Sequence, residues 1–403
     1  MSGAPRAQVL LIEACDFEGF PVGGHLTTLK QMITLFGERL ALVGLTTDAT
    51  PVGRWTKRRF GAVELDYFSL GRVAPTAVKP LIPRRLWAFC QLKRFKPRIL
   101  AHDARAAFVI APEVMLAVEG WGLRIAYTFA GVENALRMPR YAIGKWLAGP
   151  FERRLFRALA ERAELILAAA DAPAIEAMRA RSGGLLAHKR VVPCPTRVDT
   201  EIFRVIPQAR SADAPVLITC GRLNHVKGWD LVLEAFALLK ARVPGASLVF
   251  VGDGEDREKL AAQVRRLELG SSVRITGFLP APLVAGMLNS ADLFVAGSHR
   301  EGWPTAVVEA AACGLPIVCT DVSGAADLVK EGCNGFVVKQ RDAAQFARCM
   351  AEALTLERPN AHSLRVAQAH SLEEWRVSLP ALWPPLADAS IAQRNLIAER
   401  RFA

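Results

Sequence analysis

Two carboxylates eight positions apart, Glu301 and Glu309, are the residues whose type and spacing could do chemistry. Between them run Gly302, Trp303, Pro304 and Thr305, then the start of an apolar segment. Proline suits the first position of a helix, where its missing N–H is no loss and its φ is already helical. The spacing therefore predicts Glu301 on the loop before a helix and Glu309 about two turns inside it. The unpaired N–H groups of a helix start would lie between the two acids and favour an anion. A ligand with hydroxyls at both ends and phosphate in the middle, such as a nucleotide sugar, would suit that arrangement. On its own a Glu pair is better read as an ordinary loop residue and a solvated helix face, so the surrounding chain has to decide.

Two further stretches supply what such a ligand needs. Gly221-Arg222 and Lys227-Gly228 place two cations on the loop after an apolar strand. Arginine offers a forked donor and lysine a point charge, the combination a diphosphate leaving group requires. Val251-Gly252-Asp253-Gly254 reads as a strand end and a tight turn against which a planar base could lie. In the first half, Gly23 and Gly24 stand between a strand and a helix, where glycine lets a ligand approach the helix N-terminus. His102 and Asp103, Ala130 and Glu133 follow segments read as strands (Arg98 to His102, and LRIAYTFA). Loops after strands line the crevice of an open α/β sheet, which makes these residues candidates by position.

The elements that would position them alternate throughout. Gln8 to Ala14 and LALVGLT read as strands, and a basic loop holding Arg54, Lys57, Arg58 and Arg59 follows. From Ala214 onward strand and helix alternate more clearly, through APVLITCGRL, SLVFVGDG, SVRITGFLP, DLFVAGS, LPIVCTD and GFVV. This rhythm predicts an α/β chain of two parallel-sheet domains, each sheet covered on both faces. The expected boundaries are 1–206, 207–370 and a C-terminal helical segment 371–403 that crosses back to the first domain.

The chain has 403 residues, enough for two cores. No stretch approaches the ~18 uninterrupted apolar residues of a membrane span, and the N-terminus reads as a strand rather than a targeting segment. A cytoplasmic location is expected. Eight cysteines are scattered without zinc spacing and are expected to be reduced, buried and inert. The net charge is +12, and it lies entirely in the first half. Residues 1–200 hold 29 basic and 17 acidic side chains, whereas residues 201–403 hold 22 of each. That asymmetry suggests that the first half faces an anionic surface or polymer. The segment PRRLWAFCQLKRFKPRIL allows two readings: a basic amphipathic helix lying on an anionic membrane at the inner face, or a packed helix with its basic side in water. No base-stacking module accompanies the charge, so nucleic acid is not an expected partner. A dinucleotide oxidoreductase is excluded because no first-strand loop reads G-x-G-x-x-G with a following acid.

In order and spacing, GRLNHVKGWDLVLEAF, VGDGEDREKL, RITGFLP, SHREGWPTAVVEAAACGLPIVCTD and EGCNGFVV resemble the GT-B glycosyltransferases, specifically the retaining family 4, or glycosyl transferases group 1. The resemblance is strong over about residues 215–340 and weak over the first 200. It implies a metal-independent enzyme with no cofactor, moving a sugar from a nucleoside diphosphate to a glycan or glycolipid acceptor. It implies that Arg222 and Lys227 grip the diphosphate, that Glu301 holds donor-sugar hydroxyls beside the N–H groups of Gly302 to Ala306, and that Glu309 binds ribose. Gly221, Gly252, Gly254, Trp303, Pro304 and Thr305 complete the donor side; Gly23, Gly24, His102, Asp103 and Glu133 fall to acceptor or phosphate. Ala130 departs from the pattern, since many relatives carry a histidine there in a T-F-H-G-like run. A catalytically weak or inactive sugar-nucleotide-binding subunit is the competing expectation. Trp303, where Phe or Leu is usual, is expected to narrow the pocket wall.

Overall fold

In the computed structural model, residues 7–19, 24–74, 83–130, 144–208 and 213–387 are described. The chain divides into two compact units, one of residues 1–194 with 375–403 and one of residues 195–374.

Among its described residues the first unit holds eight strands: β1 (Val9–Ile12), β2 (Leu40–Thr46), β3 (Trp55–Phe60), β4 (Val63–Arg72), β5 (Ala106–Val109), β6 (Arg124–Phe129), β7 (Ala163–Ala168) and β8 (Val191–Pro193). They form one sheet in the order β3-β4-β2-β1-β5-β6-β7-β8. All pairs are parallel except the β3–β4 hairpin. Every residue of β1, β2 and β5 is buried, as expected of strands covered on both faces.

Two sequence expectations fail here. The basic loop is in fact β3, carrying Lys57, Arg58 and Arg59 on an edge strand of alternating exposure. Lysine and arginine on an edge are compatible with a strand, because they discourage pairing with another chain. The segment Arg98 to His102 is not a strand. The helix Arg84–Leu100 runs through it, with Pro97 tolerated inside the last turn, and the true strand begins at Ala106. That helix buries Ala88, Leu92, Phe95 and Ile99, one stripe at helical spacing, in the core of the unit. Lys93, Arg94 and Arg98 are exposed. The packed-helix reading of this segment is observed, while Leu86 in its first turn remains exposed.

The second unit holds β9 (Val216–Cys220), β10 (Ser247–Val251), β11 (Val273–Ile275), β12 (Leu293–Ala296), β13 (Ile317–Thr320) and β14 (Gly335–Val338). The order is β11-β10-β9-β12-β13-β14, with every pairing parallel. The order reverses between β9 and β12, so the loops leaving these two strands diverge and open a crevice. The boundary lies at Cys194–Pro195 rather than at Pro207. The intervening residues belong to the second unit: Val198 exchanges backbone hydrogen bonds with His370 and Leu372 at 2.9 and 3.0 Å, and Phe203 is buried in that core. The Ile206 N–H donates to Asn289 Oδ1 at 2.8 Å.

From Trp375 the chain clusters with the first unit. Trp383 is buried there, edge-on to Phe108 at 6.1 Å between ring centroids, and its indole N–H donates to Glu164 at 3.3 Å. The Arg39 guanidinium donates to the Ala387 carbonyl at 2.8 Å. The helix expected at the extreme C-terminus lies outside the described residues. Among the described residues no helix is long and apolar enough to cross a membrane. The cysteines are free; Cys15, Cys194, Cys313 and Cys319 are buried, but Cys90 and Cys333 are exposed, contrary to the expectation for all eight.

Candidate functional site

The crevice of the second unit contains an open pocket. Thr219, Cys220, Gly221 and Arg222 line it from the end of β9, and Ala296, Ser298 and Glu301 from the end of β12. Lys227 closes one side, and Pro304, Ala306 and Val307 contribute the start of the helix Thr305–Ala312. Pro304 stands one position before the first helical residue, not on it.

Lys227 and Glu301 meet in this pocket. The Lys227 ammonium lies 2.6 Å from Glu301 Oε1, and the Ser298 hydroxyl donates to the same oxygen at 2.7 Å. The Thr320 hydroxyl in turn donates to the Ser298 carbonyl at 2.6 Å, fixing the loop after β12 to the end of β13. Glu309 is close enough for the Lys227 charge to act on its carboxyl. Burial pushes that carboxyl up to about 7, and the lysine offsets only part of the rise. Lys227 is thus paired with Glu301 and reaches Glu309 only through its charge, and Glu309 is not among the residues lining the pocket.

The loops holding these groups are joined by close backbone contact. Lys227 ends a single 3-10 turn, His225–Lys227, capped by the Asn224 side chain. Gly228 follows in the left-handed conformation at φ 58°, and a Cβ there would lie 1.8 Å from the Gly297 carbonyl oxygen. The His299 N–H donates to the Val226 carbonyl at 2.8 Å, and Arg341 donates to the Gly297 carbonyl. Only glycine permits this approach, which brings Lys227 onto Glu301.

The other donor-side candidates differ in kind. Gly252 and Gly254 were expected to leave room for a base, but their missing side chains are required by protein backbone. A Cβ at Gly252 would sit 1.9 Å from the Gly221 carbonyl oxygen, and one at Gly254 2.3 Å from that of Leu223. The Gly221 and Leu223 N–H groups each donate at 2.9 Å to the β10 end and its turn. Trp303 does not form the pocket wall. Its ring is buried in the core of the unit, against Gly324 and 5.5 Å from the His370 ring. Gly302 and Thr305 flank it and are partly exposed.

On the first unit, Gly24 is the first residue of the helix Gly24–Phe36, while Gly23 and Glu133 lie outside the described residues. His102 and Asp103 precede β5 instead of following a strand, which removes the positional argument for them. His102 packs on Trp55 at 4.6 Å and lies 3.5 Å from Asp66, so its surroundings are a β3–β4 surface. Ala130 is exposed just after β6. Sequence reasoning missed Glu13. It is buried at the end of β1 and accepts hydrogen bonds from Ala14 at 2.8 Å and from Ala111, beyond β5, at 3.0 Å. Strand order reverses between β1 and β5, so Glu13 spans the crevice of this sheet. Glu113 follows on the helix Pro112–Val118, its carboxyl raised by burial and partly restrained by Arg85. The signal available is an acid ending an apolar run.

Residues 203–369 match the family model for glycosyl transferases group 1. They form a group 1 glycosyltransferase domain. The whole chain has the GT-B class of fold: a sucrose-phosphate synthase from Thermosynechococcus elongatus superposes with a TM-score of 0.73 at 18% identity, covering 94% of this chain and 99% of that one. A GDP-mannose-dependent alpha-(1-6)-phosphatidylinositol monomannoside mannosyltransferase of Mycolicibacterium smegmatis is 31% identical over 198 residues, 45% of this chain and 52% of that protein. The lipopolysaccharide core biosynthesis glycosyltransferase LpsE of Rhizobium meliloti is 35% identical over 141 residues, 34% of this chain and 39% of that protein. The chain thus spans about a third to a half of the length of the curated relatives it matches. The matched span contains every donor-side candidate named above, and the Lys227–Glu301 pair lies within it.

Proposed function

We propose that this chain transfers a hexose-type sugar from a nucleoside-diphosphate sugar to a lipid-linked or polysaccharide acceptor, with retention at the anomeric carbon. The observation that carries the reading is the convergence of Arg222, Lys227, Glu301 and a helix start on one pocket at the β9/β12 switch point. Breaking the glycosyl–phosphate bond builds negative charge on the diphosphate and positive charge on the sugar ring. Arg222, Lys227 and the first-turn N–H groups meet the first, and fixed donors cost no reorganisation as the charge develops. The departing phosphate accepts the proton of the incoming hydroxyl, so this scheme assigns no step to a side chain at position 130.

Lys227 is engaged by Glu301 in the structure, so an arriving diphosphate takes the ammonium over. The freed Glu301 carboxylate then accepts from the sugar hydroxyls, while Glu309 accepts from the ribose. Relatives named for mannoside and lipopolysaccharide synthesis support an acceptor in glycolipid or surface-polysaccharide assembly. A peripheral seat on an anionic membrane is consistent with the exposed Trp146 and Leu147 on the helix Gly144–Arg162, which also exposes Arg153, Arg154 and Arg157. The second reading, a binding subunit without turnover, is favoured by Ala130 alone.

The test is turnover with a panel of nucleotide sugars. Arg222→Ala or Lys227→Ala should each lower kcat by roughly 10²-fold or more, the loss typical of one missing transition-state donor. Unchanged rates would remove the mechanism. Binding of sugar nucleotides without hydrolysis or transfer would favour the second reading.

A further inference from the structure

His225, Asp230 and His299 converge on one surface of the second unit, two residues from Lys227 on one loop and two from Glu301 on the other. One ligand atom of each lies within 4.8 Å of the others. Both histidines are exposed and Asp230 is half-buried. The backbone fixes the convergence: the 2.8 Å hydrogen bond from His299 to Val226 holds the loops together, and Asp230 stands on the first turn of the helix Trp229–Arg242. The two imidazole rings lie 4.3 Å apart between centroids at a tilt of 43°.

We propose that His225, Asp230 and His299 form a site for a transition-metal cation of the zinc class, tying the loop that carries Lys227 to the loop that carries Glu301. Two imidazoles and one carboxylate suit zinc, nickel, cobalt or copper, whereas magnesium and calcium take oxygen donors. Zinc–ligand bonds of ~2.0–2.1 Å in a tetrahedron put ligand atoms roughly 3.3 Å apart, so the three must close by about 1.5 Å at most. Exposed side chains can make that movement by torsion. Three protein ligands leave the fourth position to water. The opposing feature is Arg341, whose guanidinium lies 3.4 Å from Asp230 Oδ1 and also donates to the Gly297 carbonyl. The metal takes the other carboxylate oxygen, and Arg341 then serves as the outer partner that orients the ligand. The site is separate from the sugar-transfer reading, and its test reads binding alone. No spacing pattern reveals it, because one ligand lies some seventy residues along the chain from the other two.

The experiment is isothermal titration of the chelator-treated full chain with NiCl₂ and ZnCl₂, with MgCl₂ as control, alongside the visible spectrum of the Co²⁺ form. One saturable site for Ni²⁺ and Zn²⁺, no heat with Mg²⁺, and a Co²⁺ spectrum without a thiolate charge-transfer band are expected. His225→Ala and His299→Ala should each weaken Ni²⁺ binding by more than about 10-fold, the scale that even an outer-shell partner commands. Asp230→Asn should weaken it as well. Melting curves without metal check that the variants fold as the parent does. No saturable binding by the parent, equal affinity in the His225→Ala/His299→Ala double variant, or a thiolate band would overturn the proposal.

Discussion

Glu309→Gln should stabilise the protein at pH 8 and leave it nearly unchanged at pH 5. The Glu309 carboxyl stands at about 7 in the folded chain against an ordinary 4.5, and burial is the larger cause. Below pH 4.5 both folded and unfolded chains hold the proton, so the group contributes nothing to pH dependence. Between 4.5 and 7 the unfolded chain releases it while the folded chain keeps it, and stability falls as pH rises. Above 7 both are ionised and the full cost is present. At roughly 1.4 kcal/mol per pH unit, the cost comes to about 3 kcal/mol. Most of it develops between pH 5 and 8.

Histidines complicate the raw curve. Burial holds the half-buried His362 and His370 below the ordinary imidazole value, so their contribution rises with pH over part of the same range. The measurement is therefore the difference between the parent and Glu309→Gln, in thermal melts taken at several pH values. Glutamine keeps the size and hydrogen-bonding of the protonated acid, so the histidine contributions cancel. For a domain of this size about 3 kcal/mol corresponds to roughly 6–12 °C in Tm. A difference of Tm that stays flat from pH 5 to pH 8 would refute the reasoning, because it would mean that Glu309 ionises as freely in the folded chain as in the unfolded one.

Gly228→Ala should cost at least about 3 kcal/mol, since it adds a left-handed strain to a Cβ placed 1.8 Å from the Gly297 carbonyl oxygen; a urea denaturation curve reads the loss directly. Glu301→Gln should tighten binding of a nucleoside diphosphate lacking sugar by a few-fold, because a partly exposed ion pair is worth no more than about 1 kcal/mol and its loss frees Lys227. The same variant should lose turnover, and weaker diphosphate binding would show that the pair is not in competition with the ligand. Trp146→Ser with Leu147→Ser should abolish flotation with anionic vesicles at low salt while leaving Tm unchanged, as both side chains are exposed. Flotation equal to the parent's would remove this helix from the membrane reading.

Much of the second unit is legible in the sequence because its strands are short apolar runs, each closed by glycine or a polar pair. β9, β10, β12, β13 and β14 lie where those runs predict them. The candidate donor-side residues follow the same rule, since parallel topology brings the ends of β9 and β12 to one crevice. The first unit is harder to read, and its errors have specific causes. Pro97 suggests a break, yet it sits in the last turn of a helix whose stripe Ala88, Leu92, Phe95 and Ile99 packs too well to stop there. That one misjudged element carried His102 and Asp103 to the wrong end of a strand. The β3–β4 hairpin is masked by its charge, because an edge strand facing water need not look apolar.

What no linear pattern carries is the partnership of side chains. The sequence offers Lys227 for phosphate and Glu301 for sugar as separate tools, but the fold closes one on the other at 2.6 Å. The closure depends on Gly228 and Gly297, two residues without side chains whose backbones touch. A glycine chosen for contact with another glycine leaves no trace in periodicity or charge. The same contact brings His225 against His299 and places both beside Asp230. The pocket at the β9/β12 switch point and the three-residue cluster are thus two consequences of one backbone approach. A change that separates the loops should affect both, whereas a change of ligand side chain on the outer face should affect only the metal.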